Sequence, residues 1–277
     1  MFKLPLAEDD GLYIPTVGEW SRDKHHFLLR YIDAFTTAMK NKGWAGLHYV
    51  DLFAGAGIER LQVSGRLEWG SPLIAAQTPV PFTNLHLCDN DERKYEALCT
   101  RVSRYRTDAQ ILHDNANEKI HEVVKAIPEK CLSLAFLDPY GLHLHYETLK
   151  ALARKRMDLI IFFPDHLDAL RNCQFVYKDN PDSNLDLVLG RGSEWRSQLE
   201  KYPTDRWAQV LRDLYVERIK ILGYREFEYE RICMMRGHPL YQLIFCSQHS
   251  VAAGIWRRVA KRKADGQNTF DFRPHDD

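Results

Sequence analysis

Val50-Asp-Leu-Phe-Ala-Gly-Ala-Gly57 decides how this chain is interpreted, because an apolar strand runs directly into a Gly-x-Gly turn. We predict the strand over residues 47–53 and the turn over residues 54–57. Glycine tolerates positive φ and carries no Cβ, so such a turn lets the backbone approach a ligand that a side chain would block. A plain tight turn is the alternative interpretation. The position after the first strand of the sheet, together with Asp51, favours a ligand site.

The turn lacks the third glycine of the dinucleotide-binding fingerprint, because Arg60 occupies that position. A phosphate-binding helix does not begin directly after the turn either. These departures disfavour a nicotinamide cofactor and favour the less demanding glycine turn of methyltransferases. The next helix is predicted to begin with Ser71 as its N-cap and Pro72 in its first position. We expect the intervening residues 58–70 to fold over the ligand as a lid.

Strands and helices alternate on both sides of this turn. Apolar spacing predicts a first helix over residues 21–42, capped by Ser21 and ended by Gly43. Strands that alternate with helices are joined by crossover connections, which indicates a parallel sheet. We expect the last two strands to form an antiparallel pair. The remaining predicted strands are residues 84–88, 109–112, 132–137, 157–163, 226–235 and 240–246, and the later helices end near residues 104, 126, 201, 222 and 262.

This order of elements predicts an α/β, Rossmann-like class I methyltransferase fold, with a mainly parallel twisted sheet and helices on both faces. We expect a single domain over residues 1–277. Within it, residues 1–46 form an N-terminal helical lead-in. Residues 165–222 form a helical insertion, at a place where substrate-recognition segments often emerge.

Acidic and amide residues follow the second and third predicted strands. Ligands of open α/β sheets bind beyond the carboxyl ends of the strands. Asp89 can accept both hydroxyls of a ribose there, with Asn90 beside it, although Asp91 and its neighbours also suit a helix cap. Asp114 and Asn115 can bond an adenine amino group or form a plain Asx turn.

Asp138-Pro-Tyr-Gly141 follows the fourth predicted strand and is typical of an acceptor site. In amino-methyltransferases a related Asp/Asn-Pro-Pro-aromatic element accepts hydrogen bonds from the target amino group, and its ring stacks on the flipped base. This chain has one proline instead of two, which weakens the prediction of an amino-nitrogen target. A type I or II turn is the alternative interpretation.

The composition sets limits on partners and location. Lys+Arg and Asp+Glu balance at 38 each, so bulk charge does not favour a polyanionic partner. The six cysteines show no Cys-x-x-Cys or zinc spacing, so we predict no metal site and expect reduced thiols. Early acids argue against a signal peptide, and the apolar runs are too short for a membrane span. We expect a cytoplasmic protein.

Several further motifs resemble the three-Cys-motif partner proteins (TcmP), a bacterial family with a methyltransferase-like fold. The resemblance implies a partner protein that carries three cysteines and can hold a metal cluster, but it implies no particular substrate. The matching elements are Trp20-Ser-x-x-Lys24, Tyr31-x-x-Ala34-Phe35, Asp51-x-Phe-Ala-Gly-x-Gly57, Gly70-Ser-Pro-Leu-Ile-Ala75, Phe136-Leu-Asp-Pro-Tyr-Gly141, Arg171-Asn172, Leu189-Gly190, Glu194-Trp195, Pro239-Leu-Tyr241, Leu243-Ile-Phe245 and Ser247-x-His249.

Two hypotheses follow. The first is a methyltransferase that uses S-adenosyl-L-methionine. Its acceptor would be an amino nitrogen of a nucleic-acid base or another amine, for example that of a small molecule. The second is a non-catalytic binding partner of the three-cysteine protein. The predicted catalytic residues are Asp138, Pro139 and Tyr140, and the predicted cofactor-binding residues are Asp51, Phe53, Gly55, Gly57, Asp89, Asn90, Asp114 and Asn115.

Overall fold

A seven-stranded sheet lies at the centre of the structure, a computed structural model that describes residues 2–164, 173–180, 182–234 and 239–261. A separate three-stranded sheet packs at its side. The strands are β1 (Thr16–Val17), β2 (Leu47–Asp51), β3 (Ile58–Leu61), β4 (Leu67–Trp69), β5 (Asn84–Asp89), β6 (Gln110–His113), β7 (Leu132–Leu137), β8 (Met157–Phe163), β9 (Glu226–Cys233) and β10 (Pro239–Ser247).

The central sheet has the order β6-β5-β2-β7-β8-β10-β9. Its neighbours run parallel except around β10, which is antiparallel to both β8 and β9. This confirms the predicted mainly parallel sheet and its late antiparallel pair. From β2 the chain continues to β5 on one side of the sheet, whereas from β7 it continues to β8 on the other side. The strand order therefore reverses between β2 and β7, and the crevice beyond the carboxyl ends of these two strands is the expected place for a ligand.

Helices cover both faces of the sheet. One apolar cluster buries residues of the helices over residues 21–39, 71–76, 92–103 and 250–260 against one face. The other cluster buries residues of the helices between residues 116 and 221 against the opposite face. None of the helices in the described ranges is long and apolar enough to cross a membrane. The helices are α1 (Ser21–Met39), α2 (Ser71–Ala76), α3 (Glu92–Ser103), α4 (Ala116–Ala126), α5 (Tyr146–Leu152), α6 (Asn184–Leu189), α7 (Trp195–Leu199), α8 (Trp207–Ile221) and α9 (Ser250–Ala260).

Two predicted helix caps are wrong by one residue. Ser21 is the first residue of α1 rather than its cap, and its hydroxyl donates instead to Glu59 Oε2 at 2.5 Å. Ser71 is likewise the first residue of α2, and Gly70 takes the cap position in an extended conformation. The Gly70 N–H donates to the carbonyl oxygen of Gly57 at 2.8 Å, so α2 begins directly against the glycine turn.

Residues 58–70 form a β-hairpin, and the expectation that this segment folds over the ligand stays a prediction. Strands β3 and β4 pair antiparallel, and β1 of the N-terminal lead-in adds to β3 in parallel. An ion pair of 2.9 Å between Arg60 and Asp9 joins the hairpin to the same lead-in. The sequence did not predict this sheet, because strands of two to four residues carry too short a pattern.

The described residues of the predicted helical insertion form two parts, a first part with α6 and α7 and a second part with α8; residues 165–172 and 181 lie outside the description. In the first part, Arg196 of α7 donates to both carboxylate oxygens of Asp186 in α6, at 2.6 and 2.7 Å. In the second part, Tyr215 of α8 stacks on Phe163 of β8 with ring centroids 4.5 Å apart. Helix α8 is therefore a covering helix of the sheet.

Candidate active site

The two glycines of the turn have different roles. Gly55 has a φ of +66°, and a Cβ added there would meet no atom within 4 Å. Gly57 has a φ of +84°, but a Cβ there would lie 3.0 Å from Leu73 Cδ1. Gly57 thus allows close packing of α2, whereas Gly55 presents backbone to open space, as a ligand-binding turn requires.

Asp89 holds this turn in place. Its Oδ2 accepts a 2.8 Å hydrogen bond from the Gly55 N–H, and its Oδ1 accepts one of 3.0 Å from the Asp91 N–H. Asp91 itself caps α3 by accepting from the Lys94 N–H at 3.1 Å, which confirms that part of the predicted cap. A carboxylate has about four lone-pair directions, so the buried Asp89 retains capacity for further donors.

Arg101 of α3 supports the turn from behind and is only 1% exposed. Its guanidinium donates to both carboxylate oxygens of Asp10 at 3.0 and 2.6 Å, and to the carbonyl oxygens of Tyr13 and Ala56 at 2.9 and 2.7 Å. This bonding lowers the pKa of Asp10 to about 2. Arg101 therefore joins the N-terminal lead-in to the residue between the two glycines.

Asp51 lies beneath the turn and is fully buried. Its oxygens accept hydrogen bonds from the Tyr49 hydroxyl at 3.1 Å and the Phe53 N–H at 3.3 Å, and the Ser71 hydroxyl also bonds to it. Burial nevertheless raises the pKa of Asp51 to about 7. These contacts shape the turn from below, while the partly buried Phe53 packs on the core.

The Asp51→Asn variant is expected to gain up to about 4 kcal/mol of unfolding free energy near pH 8 and little near pH 4. Because the folded-state pKa of Asp51 lies above the 3.8 of an ordinary aspartate, its contribution to stability is complete below pH 3.8 and is lost as the pH rises to about 7. Asparagine does not ionise and escapes that loss. Urea unfolding of both proteins across this range measures the effect, and a pH-independent difference would contradict it.

The residues after β6 serve a helix cap. Asn115 Oδ1 accepts from the Asn117 N–H at 2.9 Å at the start of α4, and Asp114 accepts from the Asn115 N–H at 2.7 Å. That backbone bond, with Lys119 at 3.3 Å, lowers the pKa of Asp114. The Asx-turn interpretation therefore holds. Contact with an adenine stays a prediction for these two residues, and contact with the cofactor stays a prediction for the exposed Asn90.

Asp138 lies at the end of β7, on the strand next to the glycine turn, since Phe136 of β7 pairs with Asp51 of β2. The Lys24 ammonium donates to its Oδ1 at 2.6 Å and to its Oδ2 at 2.9 Å. Pro139 is buried, whereas the Tyr140 side chain is 87% exposed. A carboxylate paired with Lys24 and, two residues later, an exposed aromatic ring thus follow the end of β7.

Lys24 is the site residue that the sequence analysis missed. Its ammonium lies 4.1 Å from the ring centroid of Tyr241 and 4.9 Å from that of Phe162, and its side chain is only 7% exposed. Lys24 shares the apolar face of α1 with Phe27 and Leu28, three and four residues later, which are both buried. A lysine at such a position is the signal that could have identified it, because lysine is almost never buried unless paired.

This sheet, with a glycine turn and an aspartate at the ends of its two central strands, is a Rossmann-like fold of the class I methyltransferase type. Its cofactor and acceptor are not fixed by the fold, since one fold hosts many functions.

Comparison with solved structures gives neighbours of low sequence identity. The chain resembles a protein of family DUF519 from Legionella pneumophila, with 11% identity over 90% of this chain and 94% of that one and a TM-score of 0.52. Trm1 from Pyrococcus horikoshii, solved with S-adenosyl-L-methionine, has 15% identity over 94% of this chain and 65% of that one, with a TM-score of 0.42. A fibrillarin/Nop5p complex has 13% identity over 79% and 83%, with a TM-score of 0.41.

These likenesses concern the fold alone. No family model matches the chain, and no curated protein does. The three-Cys-motif partner family therefore stays a resemblance carried by the motifs of the sequence.

Proposed function

We propose that this protein is a methyltransferase that uses S-adenosyl-L-methionine and methylates an amine, with the amino nitrogen of a nucleic-acid base as the leading acceptor. The observation that carries the proposal is the pairing of β2 with β7, because it brings the glycine turn and Asp138 to the same crevice. A cofactor held by the turn would then present its reactive group to an acceptor held by Asp138.

The residues of the turn fit this cofactor. The open space over Gly55 is a cradle that a Cβ would fill, and the Asp89 carboxylate beside it is fixed by two backbone N–H groups. Gly55 and Asp89 would hold the methionine and ribose portions, respectively. When bound, the cofactor supplies an electrophilic methyl group on a sulfonium.

The acceptor would be held by Asp138 and Tyr140. The carboxylate of Asp138 accepts hydrogen bonds from the amino group of the acceptor. The lone pair of the amino nitrogen is then free to attack the methyl group of the cofactor. The exposed ring of Tyr140 offers a face on which a flipped base can stack. Methyl transfer of this type depends on in-line positioning more than on a strong base, so a paired carboxylate is adequate.

A second candidate is a non-catalytic partner that uses the same fold to bind the three-cysteine protein. The single proline of Asp138-Pro-Tyr140 favours it, since amino-methyltransferases have two at this element. In either case we propose a cytoplasmic protein, with the first part of the insertion contacting the partner or acceptor.

Calorimetric titration with S-adenosyl-L-methionine tests the proposal. We expect wild type to bind, and Asp89→Ala to bind at least about tenfold more weakly, because it loses the turn's anchor and a hydroxyl acceptor. Asp138→Ala should keep cofactor binding and lose methyl transfer to adenine-containing DNA or RNA oligonucleotides. If the wild-type protein does not bind the cofactor at high micromolar concentration, the proposed enzymatic function is refuted and the second candidate is favoured.

A further inference from the structure

We infer that Lys24 is a positioning residue that neutralises Asp138, so that the acceptor site selects an uncharged planar amine over an alkylammonium ion. The inference rests on the proposed function, because it concerns the acceptor of that same site. It narrows the acceptor to the exocyclic amine of a heteroaromatic ring, the chemistry of a nucleobase, and disfavours a lysine side chain or a polyamine.

The Lys24 ammonium spans both oxygens of Asp138 at 2.6 and 2.9 Å and so fixes the plane of the carboxylate. It uses one lone-pair direction on each oxygen, and a carboxylate has about four. Because the Asp138 side chain is still 20% exposed, the remaining directions can accept donors from an amino group in the crevice.

An isolated carboxylate beside Phe162 and Tyr241 would be a good site for an alkylammonium, since cations favour the faces of aromatic rings. Lys24 already occupies that position, at 4.9 and 4.1 Å from the two ring centroids. A second ammonium on Asp138 would face a like charge across the same carboxylate, which disfavours it.

An alkylamine is protonated at neutral pH, with an ordinary pKa of about 10.4, and has no free lone pair. An exocyclic aromatic amine is uncharged there, but its lone pair is delocalised and gains from a hydrogen-bond acceptor. Transfer forms the N–CH3 bond and breaks the S–CH3 bond, leaving S-adenosylhomocysteine and a nitrogen that gives one proton to solvent. The exposed ring of Tyr140 next to Asp138 suits a planar acceptor of this kind.

Binding of two small probes tests the inference without cofactor. The probes are 9-ethyladenine, a neutral planar amine, and n-butylammonium chloride, titrated calorimetrically at constant ionic strength. We expect wild type to bind 9-ethyladenine in preference to n-butylammonium. Lys24→Met should raise the affinity for n-butylammonium at least about tenfold, because the charge of Asp138 is then uncompensated.

Three matched variants separate this role from a structural one. Lys24→Arg keeps the charge and should keep the wild-type preference. Lys24→Gln is a second neutral variant, should Lys24→Met fail to fold by circular dichroism. The double variant Lys24→Met with Asp138→Asn should lose the gained affinity, because no negative charge remains to attract the cation.

Equal affinity of wild type and Lys24→Met for n-butylammonium would overturn the inference, as would a gain that persists in the double variant. Titration of the same proteins with S-adenosyl-L-methionine keeps the two proposals distinguishable. Failure to bind the cofactor refutes the proposed function, whereas cofactor binding with an unchanged probe preference refutes only the role of Lys24.

Discussion

Arg101→Leu is expected to lose about 3–5 kcal/mol of unfolding free energy, the usual cost of breaking a buried ion pair by removing one partner. Leucine cannot donate to Asp10 or to the carbonyl oxygens of Tyr13 and Ala56, so these acceptors lose their buried donor. Because Arg101 lowers the pKa of Asp10, wild type should also lose stability as the pH falls from 3.8 towards 2, and the variant should lose less.

Arg104→Leu is the matched control. Arg104 donates to the same carboxylate, to Asp10 Oδ2 at 2.8 Å, but its side chain is 46% exposed. Exposed ion pairs contribute only about 0–1 kcal/mol, so this variant should resemble wild type in urea unfolding. Equal losses in the two variants would show that the buried bonds of Arg101 do not stabilise the lead-in.

The sequence predicts those elements best whose patterns are local. The runs at 132–137 and 157–163 became β7 and β8 without any shift in their ends, because strands covered on both faces are nearly continuous apolar runs, interrupted here only by Ser133 and Asp158. The helix α5 was missed, because its seven residues, which are separated from the Asp-Pro-Tyr-Gly element by four residues, make barely two turns of periodicity. The sequence therefore predicted the strands of the central sheet better than it predicted the shorter elements around them.

For the site, the chain order predicted which strand ends would meet but not which side chains would pair. The bond from Gly55 to Asp89 spans 34 residues, and the pair of Lys24 with Asp138 spans 114. Such contacts depend on how the strands and helices pack in the folded chain, and a local sequence pattern does not show this packing. Asp51 shows the same limit, because its burial beneath the turn, which raises its pKa, arises only in the folded structure.

Gly55→Val is expected to abolish measurable binding of S-adenosyl-L-methionine, a loss of about a hundredfold or more. The added side chain would fill the open space over the turn, where the backbone must approach the ligand. Valine at positive φ is also strained, so the variant should lose about 1–2 kcal/mol of unfolding free energy.

Gly65→Val separates the two effects. Gly65 has a φ of +68°, close to the +66° of Gly55, and a Cβ there also meets nothing within 4 Å. It lies in the hairpin between β3 and β4, away from the ends of β2 and β7, so this variant should show the same loss of stability and keep cofactor affinity. Calorimetric titration with thermal unfolding of both proteins measures the comparison. If the two variants bind the cofactor equally, the open side of Gly55 is not where the ligand lies, and the glycine turn is then only a turn.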